Sequence, residues 1–291
     1  MKGDRERKRT FMLITIPILA LFICFNTLPL IKGFIYSFTN FKGYGSYDWV
    51  GARNYVDLFT DGRVGRSYLF TFKYAIVGTI LTNVISLVIA LGLNSKIKGK
   101  SVLRGIYFIP NVLGGLVIGY IFSFFFTYIL PVVGQSLGIE ALSSSMLSST
   151  SQAWIAIVIV GCWQAIAMNT IIYISGLQTV PEDIYEAADM DGCGTFRKFF
   201  TLTLPYIKPT IIMTILLRTI WIFNSFDLVV IVTEGGPANY SQTLPSYMYT
   251  QAFSSYDFGL AGAFGVLLMV ILTLYALIFL KITQYDKAGD F

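Results

Sequence analysis

Polar and aromatic side chains interrupt two long apolar runs of this 291-residue chain, and they are the first candidates for binding chemistry. They are Trp163 and Gln164 in one run, and Trp221, Asn224 and Ser225 in the other. Such residues are costly inside a membrane, so they tend to face either a water-filled cavity or a neighbouring helix. Trp221 and Asn224 are three residues apart and share roughly one helical face. Two interpretations stay open: the residues line a path for a substrate, or they tie helices together.

Arg218 and Asp227 are the ionisable residues expected deep inside an apolar run. In a continuous helix nine residues separate them by about 13 Å, which excludes direct pairing unless the helix is broken. The Arg218 guanidinium could attract an acidic substrate such as a uronate or a phosphorylated polyol. The favoured interpretation is structural: Arg218 packs against carbonyls or carboxylates at a subunit interface, and Asp227 lies near the outer mouth.

The chain offers few residues for covalent or metal chemistry. It has no histidine, and Cys24, Cys162 and Cys193 are scattered, so neither a metal site nor a disulfide is indicated. The stretch Gly99-Lys100-Ser101 looks like the end of a phosphate-binding loop, but Asn94 stands where the first glycine is required. We therefore expect no catalytic residue, no metal and no cofactor on this chain, and we expect ATP to bind elsewhere.

The composition is that of a membrane protein. Hydrophobic residues make up 55% of the chain, charged residues 13%, and the mean hydropathy is +0.67; soluble domains carry roughly twice that charged fraction. Apolar runs of about 20 residues predict membrane-spanning helices, because a helix satisfies its own backbone groups in lipid. We expect one all-α transmembrane domain over residues 1–291. The six predicted spans are residues 11–31, 70–93, 106–128, 154–177, 210–232 and 261–282.

The distribution of lysine and arginine predicts the orientation of the chain. If the N-terminus is cytoplasmic, the inner segments hold Lys2, Arg5, Arg7, Lys8, Arg9, Lys96, Lys98, Lys100, Arg104, Arg197, Lys198, Lys208, Lys281 and Lys287. The outer loops after the third and fifth spans hold no basic residue. The first outer loop does hold basic residues, but it is long, and long loops say less about orientation. We expect both termini in the cytoplasm. Anionic lipids of the inner leaflet then account for the net charge of +5 without nucleic acid.

The polar segment between the fourth and fifth spans, residues 178–209, predicts a short cytoplasmic helix. Pro181 and the two acidic residues after it suit a helix start. Two glycines, Gly192 and Gly194, can end the helix through a left-handed residue. Small alanines between these ends would let another protein approach closely.

The residues after this helix predict contact with the membrane surface. Phe196, Phe199 and Phe200 are expected to lie along the inner surface, with Arg197 and Lys198 facing the lipid headgroups.

The whole spacing of this segment resembles the signature cytoplasmic loop in the membrane-spanning subunits of binding-protein-dependent ABC importers. Glu-Ala-Ala occupies residues 186–188, and Gly192 follows after three intervening residues. Nine further residues separate Gly192 from Leu202, and one residue separates Leu202 from Leu204-Pro205. Leu202 stands where the family usually has isoleucine, which preserves an aliphatic contact. The resemblance implies a coupling helix that docks on a separate ATPase subunit. It places the docking residues at Glu182, Tyr185, Glu186, Ala187, Ala188, Asp189, Asp191 and Gly192.

A wider similarity covers most of the chain after about residue 25 and narrows the resemblance to the maltose-type carbohydrate permeases. It rests on residues 29–39, 50–55, 221–227, 233–237 and 243–244. The pattern is similar to the first of two paired permeases with the type I importer fold, in a bacterial or archaeal cytoplasmic membrane. The resemblance implies a second permease, two ATPase subunits that bind ATP and Mg, and an extracytoplasmic solute-binding protein as partners. It also places the sugar near the two polar and aromatic groups, because aromatic faces stack on sugars while polar groups bind hydroxyls.

An ion-coupled secondary transporter or channel acting without an ATPase is the alternative. Such proteins usually need intramembrane carboxylates or discontinuous helices to bind the coupling ion. Asp227 is the sole candidate for that role, and the cytoplasmic helix would have no purpose. An intramembrane enzyme would lack a histidine, a metal cluster and a paired acid and base.

Overall fold

The computed structural model describes residues 2–95 and 99–285, which fold almost entirely into helices. Within this described part, β structure is limited to an isolated antiparallel bridge between Thr39 and Trp49. Lys96, Lys98 and Lys287, three of the basic residues used to predict orientation, lie outside the described residues. The α-helices are α1 (Lys2–Phe22), α2 (Leu28–Tyr36), α3 (Arg53–Thr60), α4 (Gly62–Asn94), α5 (Lys100–Val112), α6 (Gly115–Phe124), α7 (Leu130–Leu137), α8 (Thr150–Leu177), α9 (Glu182–Met190), α10 (Thr195–Lys198), α11 (Leu204–Tyr206), α12 (Lys208–Phe223), α13 (Asp227–Thr233), α14 (Leu244–Phe253) and α15 (Phe258–Thr283).

Five helical runs among the described residues are long and apolar enough to cross a membrane. A sixth span exists if the pair Thr195–Tyr206 and Lys208–Phe223, bent by 68°, is one crossing. The prediction of an all-α membrane protein is confirmed. The five runs are Phe11–Tyr36, Gly62–Asn94, Gly115–Leu137, Thr150–Leu177 and Phe258–Thr283.

In the part of the chain that the structure describes, three wide π-helical turns join helices end to end, and each is followed by a proline. The turns are Ile23–Thr27, Phe125–Ile129 and Phe199–Thr203, and a proline stands at the first or second position of α2, α7 and α11. Proline has no N–H to donate to the preceding turn and its ring crowds the carbonyl four residues before it. A locally widened turn accommodates the ring, so the helix continues with a defect instead of ending.

The third and fifth spans differ from the sequence prediction. Residues 106–128 were expected to form one helix, but the backbone is extended at Leu113 and Gly114 and the helical run starts again at Gly115. Residues 210–232 were also expected to be continuous, yet α12 ends at Phe223 and α13 begins at Asp227. In the third span, paired glycines favour a break. In the fifth span, Asn and Ser side chains compete for backbone hydrogen-bonding groups and so favour a break.

The residues divide into two compact units, and the first consists of residues 1–62 and 248–270. Its centre is the buried side chain of Asn54, whose amide donates to the Ser37 and Thr39 carbonyls at 2.9 and 2.8 Å. Gly259 packs against the same backbone: a Cβ atom at this position would overlap the Thr39 carbonyl oxygen. Only glycine therefore allows this close approach.

The second unit consists of residues 63–247 and 271–291. Polar contacts join its helices: the buried Tyr173 hydroxyl on α8 donates to Asn83 Oδ1 on α4 at 2.7 Å and accepts from Thr214 Oγ1 on α12 at 2.8 Å. Such bonds hold helices together where lipid supplies no hydrophobic driving force. Next to them is a buried hydrophobic cluster, here called the basal cluster: Ala90, Leu93, Tyr173, Ile174, Leu177, Val180 and Ile207.

Candidate functional site

The helix α9 has the start and the end that the sequence predicts. Pro181 stands just before it with an extended backbone, and the first turn contains Glu182 and Asp183. At the other end Gly192 is left-handed, with a φ of 69°. The N–H groups of Cys193 and Gly192 donate to the Ala188 and Asp189 carbonyls at 2.9 and 3.1 Å, which is the Schellman pattern. Gly194, the other candidate, has a φ of −67° and takes no part in this ending.

One side of α9 faces its own chain. Tyr185 packs against the basal cluster, and its hydroxyl forms a 2.8 Å hydrogen bond with Thr203 Oγ1. Ala188, three residues further and therefore on the same face, is 7% exposed. Tyr185 and Ala188, both predicted as docking residues, thus contact their own chain and anchor the helix to it.

The other side of α9 is open. Glu182, Glu186 and Ala187 are exposed, as are Asp191 and Gly192 beyond the helix end. Large apolar side chains flank that end: Met190 is 90% exposed and Phe196 is 83% exposed. Sequence reasoning placed Phe196 at the membrane surface and missed Met190. An apolar residue on the solvent face of a short polar helix is the signal that could have identified it. We call Glu182, Glu186, Ala187, Met190 and Phe196 the docking face.

An ion pair fixes the segment after the turn. Lys198 Nζ lies 2.5 Å from Asp189 Oδ1, and the Lys198 side chain is only 18% exposed. Lys198 therefore binds α9 and does not face the lipid headgroups as predicted. Asp189 is correspondingly occupied within the chain, although its side chain remains 64% exposed.

The break between α12 and α13 displays polar and aromatic side chains. Trp221 is 73% exposed in the last turn of α12, and Asn224 and Asp227 on either side of the break are also exposed. Asn224 ends α12: its backbone N–H and its amide Nδ2 both donate to the Ile220 carbonyl, at 3.2 and 2.8 Å. Interrupted helices inside a membrane occur where the freed backbone lines a cavity or is covered by protein. We call Trp221, Asn224 and Asp227 the break site.

The second helix break lies beside the first. On α6, a Cβ atom at Gly119 would lie 2.6 Å from Ile231 Cγ2, and one at Gly115 would lie 3.9 Å from Asp227 Oδ2. Two glycines four residues apart thus let α6 and α13 approach closely, as in small-residue motifs of membrane helices. The interruption at Leu113 and Gly114 consequently meets the start of α13.

The other predicted group, Trp163 and Gln164 on α8, lies beside a more distant part of α6. Trp163 on α8 is 38% exposed and packs edge to face against Phe122, with the ring centroids 5.2 Å apart. Phe122 is seven residues from Gly115, about 10 Å along the same face of α6. Gln164 is half-buried. The structure therefore places the Trp163 group two helical turns from the break site, connected to it by one face of α6.

Arg218 is buried, and Ser225 is half-buried. Arg218 is 9% exposed, and its Nη2 donates to the Gly161 carbonyl at 2.9 Å. The buried Tyr74 side chain interacts with both Ser225 and Arg218. Arg218, expected at a subunit interface, thus joins α12 to α8 within its own chain. Ser225, predicted as a path residue, is half-buried and stays a prediction.

Comparison with known proteins identifies the family. Residues 82–285 match the family described as the inner membrane component of binding-protein-dependent transport systems. The chain belongs to this family. It is 36% identical to a multiple sugar-binding transport system permease from Streptococcus mutans over 94% of each chain. It is 29% identical to the trehalose/maltose transport system permease of Thermococcus litoralis, over 97% of this chain and 96% of that one. The family resemblance inferred from residues 178–209 is confirmed.

A solved structure shows the same fold. The permease superimposes on a chain of a bacterial ABC transporter involved in the import of the acidic polysaccharide alginate, with a TM-score of 0.83. The match covers 98% of this permease and 99% of that chain at 17% identity, so it shows the fold alone. The permease is therefore a multi-pass membrane component of a transport system that depends on a binding protein.

Proposed function

We propose that this permease is one of two membrane subunits of an ATP-driven importer, that it forms the translocation path with the second, and that its cargo is a carbohydrate. The observation that supports this most is α9 itself. It is a short helix with a fixed end, rooted in its own chain by Tyr185 and Ala188, and it presents the docking face outward. A surface with this construction suits contact with another rigid protein.

The break site is the proposed part of the sugar path. Trp221 offers an aromatic face for the C–H surface of a sugar ring, and the Asn224 amide can bind hydroxyl groups. Both side chains are exposed in this subunit, so a second permease facing them would complete an enclosed path. Trp163 is a further contact candidate along α6.

The other partners follow from the same proposal. An extracytoplasmic solute-binding protein delivers the sugar, and two ATPase subunits, which hold ATP and Mg, dock on the coupling helices of the two permeases. ATP binding draws the two docking helices together and opens the path outward, and hydrolysis returns it inward. This permease performs no covalent chemistry. Both of its termini lie in the cytoplasm.

Ala187→Trp tests the ATPase contact. Ala187 is exposed on the docking face, whereas its neighbour Ala188 is buried, so a large side chain at 187 blocks docking without entering the core. The tagged permease, expressed with its genetic neighbours, is purified and its subunits are identified. Native protein is expected to bring down an ATPase and a second permease and to take up sugar with ATP. Ala187→Trp is expected to lose most of the ATPase while keeping the second permease.

The matched control is Ala141→Trp, the same change at an exposed alanine on the opposite, outer side of the predicted topology. It should retain the ATPase. Equal loss of the ATPase in both variants would mean that tryptophan damages the fold in general. A native chain that purifies alone and transports in vesicles without ATP would refute the importer and favour ion-coupled transport.

A further inference from the structure

The Asp227 carboxylate occupies an unusual position at the break site. It is exposed at the first residue of α13, and a Cβ atom at Gly115 would lie 3.9 Å from its Oδ2. Among the residues that the structure describes, it has neither an ion pair nor a hydrogen bond. Charged groups within membrane segments are costly and face either a water-filled cavity or a partner. At the break site, where two helices are interrupted side by side, this carboxylate is exposed on the surface of its own chain.

Among the described residues, Asp227 forms no ion pair with either of two cations of the membrane helices, Arg218 and Lys73. Arg218, nine residues earlier, is buried and donates to the Gly161 carbonyl. The ammonium group of Lys73 lies 3.6 Å from the centre of the Trp154 ring and is held there by the aromatic face. The exposed side chains of the break site therefore include one carboxylate and no cation, while Arg218 is buried within its own chain.

We propose that Asp227 is a specificity-determining residue: its charge makes the path accept uncharged carbohydrates and reject acidic ones such as uronates and sulfonated sugars. This inference rests on the proposed function and adds the charge class of the cargo. The fold does not decide that class, since a transporter with the same fold imports acidic alginate. The difference between transporters of neutral and of acidic cargo must come from side chains in the path. A unit charge a few ångströms away changes the local concentration of an ion by about tenfold or more.

Thiol chemistry measures this charge without knowledge of the sugar. The three native cysteines are replaced, Asn224→Cys is introduced, and the complete transporter is treated with methanethiosulfonate reagents of similar size, one cationic and one anionic. The ratio of their rates, divided by the same ratio for a free thiol, reports the local charge. We expect Asn224→Cys to favour the cationic reagent by about tenfold. Adding Asp227→Asn should abolish the preference, and Asp227→Glu should preserve it.

Glu234→Gln is the matched control, because Glu234 is an exposed carboxylate at the far end of α13. It should leave the ratio unchanged. A reactive thiol at position 224 whose ratio does not respond to Asp227→Asn would overturn the proposal and indicate that a cation of another subunit neutralises Asp227. If the thiol at position 224 reacts with neither reagent, the break site is not part of an aqueous path, and the charge proposal is refuted with it.

Uptake tests the consequence for cargo. Native transporter with its binding protein is offered a mixed hydrolysate of starch, xylan and pectin, and the accumulated oligosaccharides are identified by mass spectrometry. Neutral oligosaccharides are expected inside and uronate-containing ones outside. Accumulation of uronates at a comparable rate would overturn the charge selectivity, yet leave the carbohydrate importer intact. Accumulation of neither class would count against carbohydrate as the cargo, and therefore against both proposals.

Discussion

At the scale of single residues, Gly192 determines how the docking helix ends. Its φ of 69° lies in the left-handed region, where a side chain costs roughly 1 kcal/mol or more. An added Cβ atom would meet nothing within 4 Å at Gly192 or at Gly194. The two glycines thus differ in backbone conformation and not in available space, which makes Gly194 a matched control.

Gly192→Ala is expected to loosen the end of α9. The strain of about 1 kcal/mol opens the hydrogen bonds to the Ala188 and Asp189 carbonyls more often, so the donating amides of residues 192 and 193 should exchange with deuterium about fivefold faster. Gly194→Ala should leave the exchange unchanged. Hydrogen–deuterium exchange read by mass spectrometry on peptides covering residues 182–198 measures both. Equal rates in the two variants would show that the left-handed turn does not limit the stability of this helix end.

The sequence predicted the bounds of α9 because proline, acidic residues and glycine act locally. It did not predict that Tyr185 and Ala188 face inward, since that depends on the basal cluster and on Thr203, which lie elsewhere in the chain. The same reason applies to Lys198, whose partner Asp189 is nine residues away across a turn.

At the scale of elements, the packing of α6 on α13 aligns the two helix breaks. Gly119→Ala places a methyl group where Ile231 Cγ2 already lies, at 2.6 Å. Overpacking of this kind costs about 1–3 kcal/mol, so thermal unfolding in detergent should occur at a lower temperature. Adding Ile231→Ala to the same protein should recover part of the loss.

Gly105→Ala on α5 provides the comparison, because a Cβ atom there meets nothing within 4 Å. Alanine is the better helix former by about 1 kcal/mol, so this variant should be as stable as the native protein or more so. A similar loss at both positions would indicate that the interface tolerates no alanine for reasons other than contact with Ile231.

The presence of long apolar helices followed from composition, but the positions of the breaks did not. Residues 106–128 and 210–232 are apolar overall, and local signals such as Pro110, Gly114 and Asn224 also occur in continuous membrane helices. A break in a membrane helix is stable only if neighbouring groups satisfy the freed backbone. At the fifth span the Thr243 hydroxyl does so by donating to the Ser225 carbonyl at 2.8 Å, a contact between residues 18 apart in sequence.

At the scale of the whole molecule, the distribution of lysine and arginine predicts that α9 lies in the cytoplasm and residue 141 outside. Met190→Cys and Ala141→Cys test this, since both side chains are exposed. In a protein without native cysteines, a membrane-impermeant maleimide should label the Ala141→Cys variant in intact cells. It should label the Met190→Cys variant only in opened membranes stripped of peripheral proteins. The reverse pattern would invert the topology and place the docking face on the wrong side for an ATPase.

The anchoring of α9 has a mechanical consequence. Tyr185 is held both by the close-packed basal cluster, to which the ends of α4 and α8 contribute, and by Thr203 in the turn that leads to α12. Packed protein interiors compress little. Under the proposed function, a force that a partner applies at Met190 is therefore transmitted through Tyr185 to the attached helix ends. The movement of these helix ends then follows the movement of the partner.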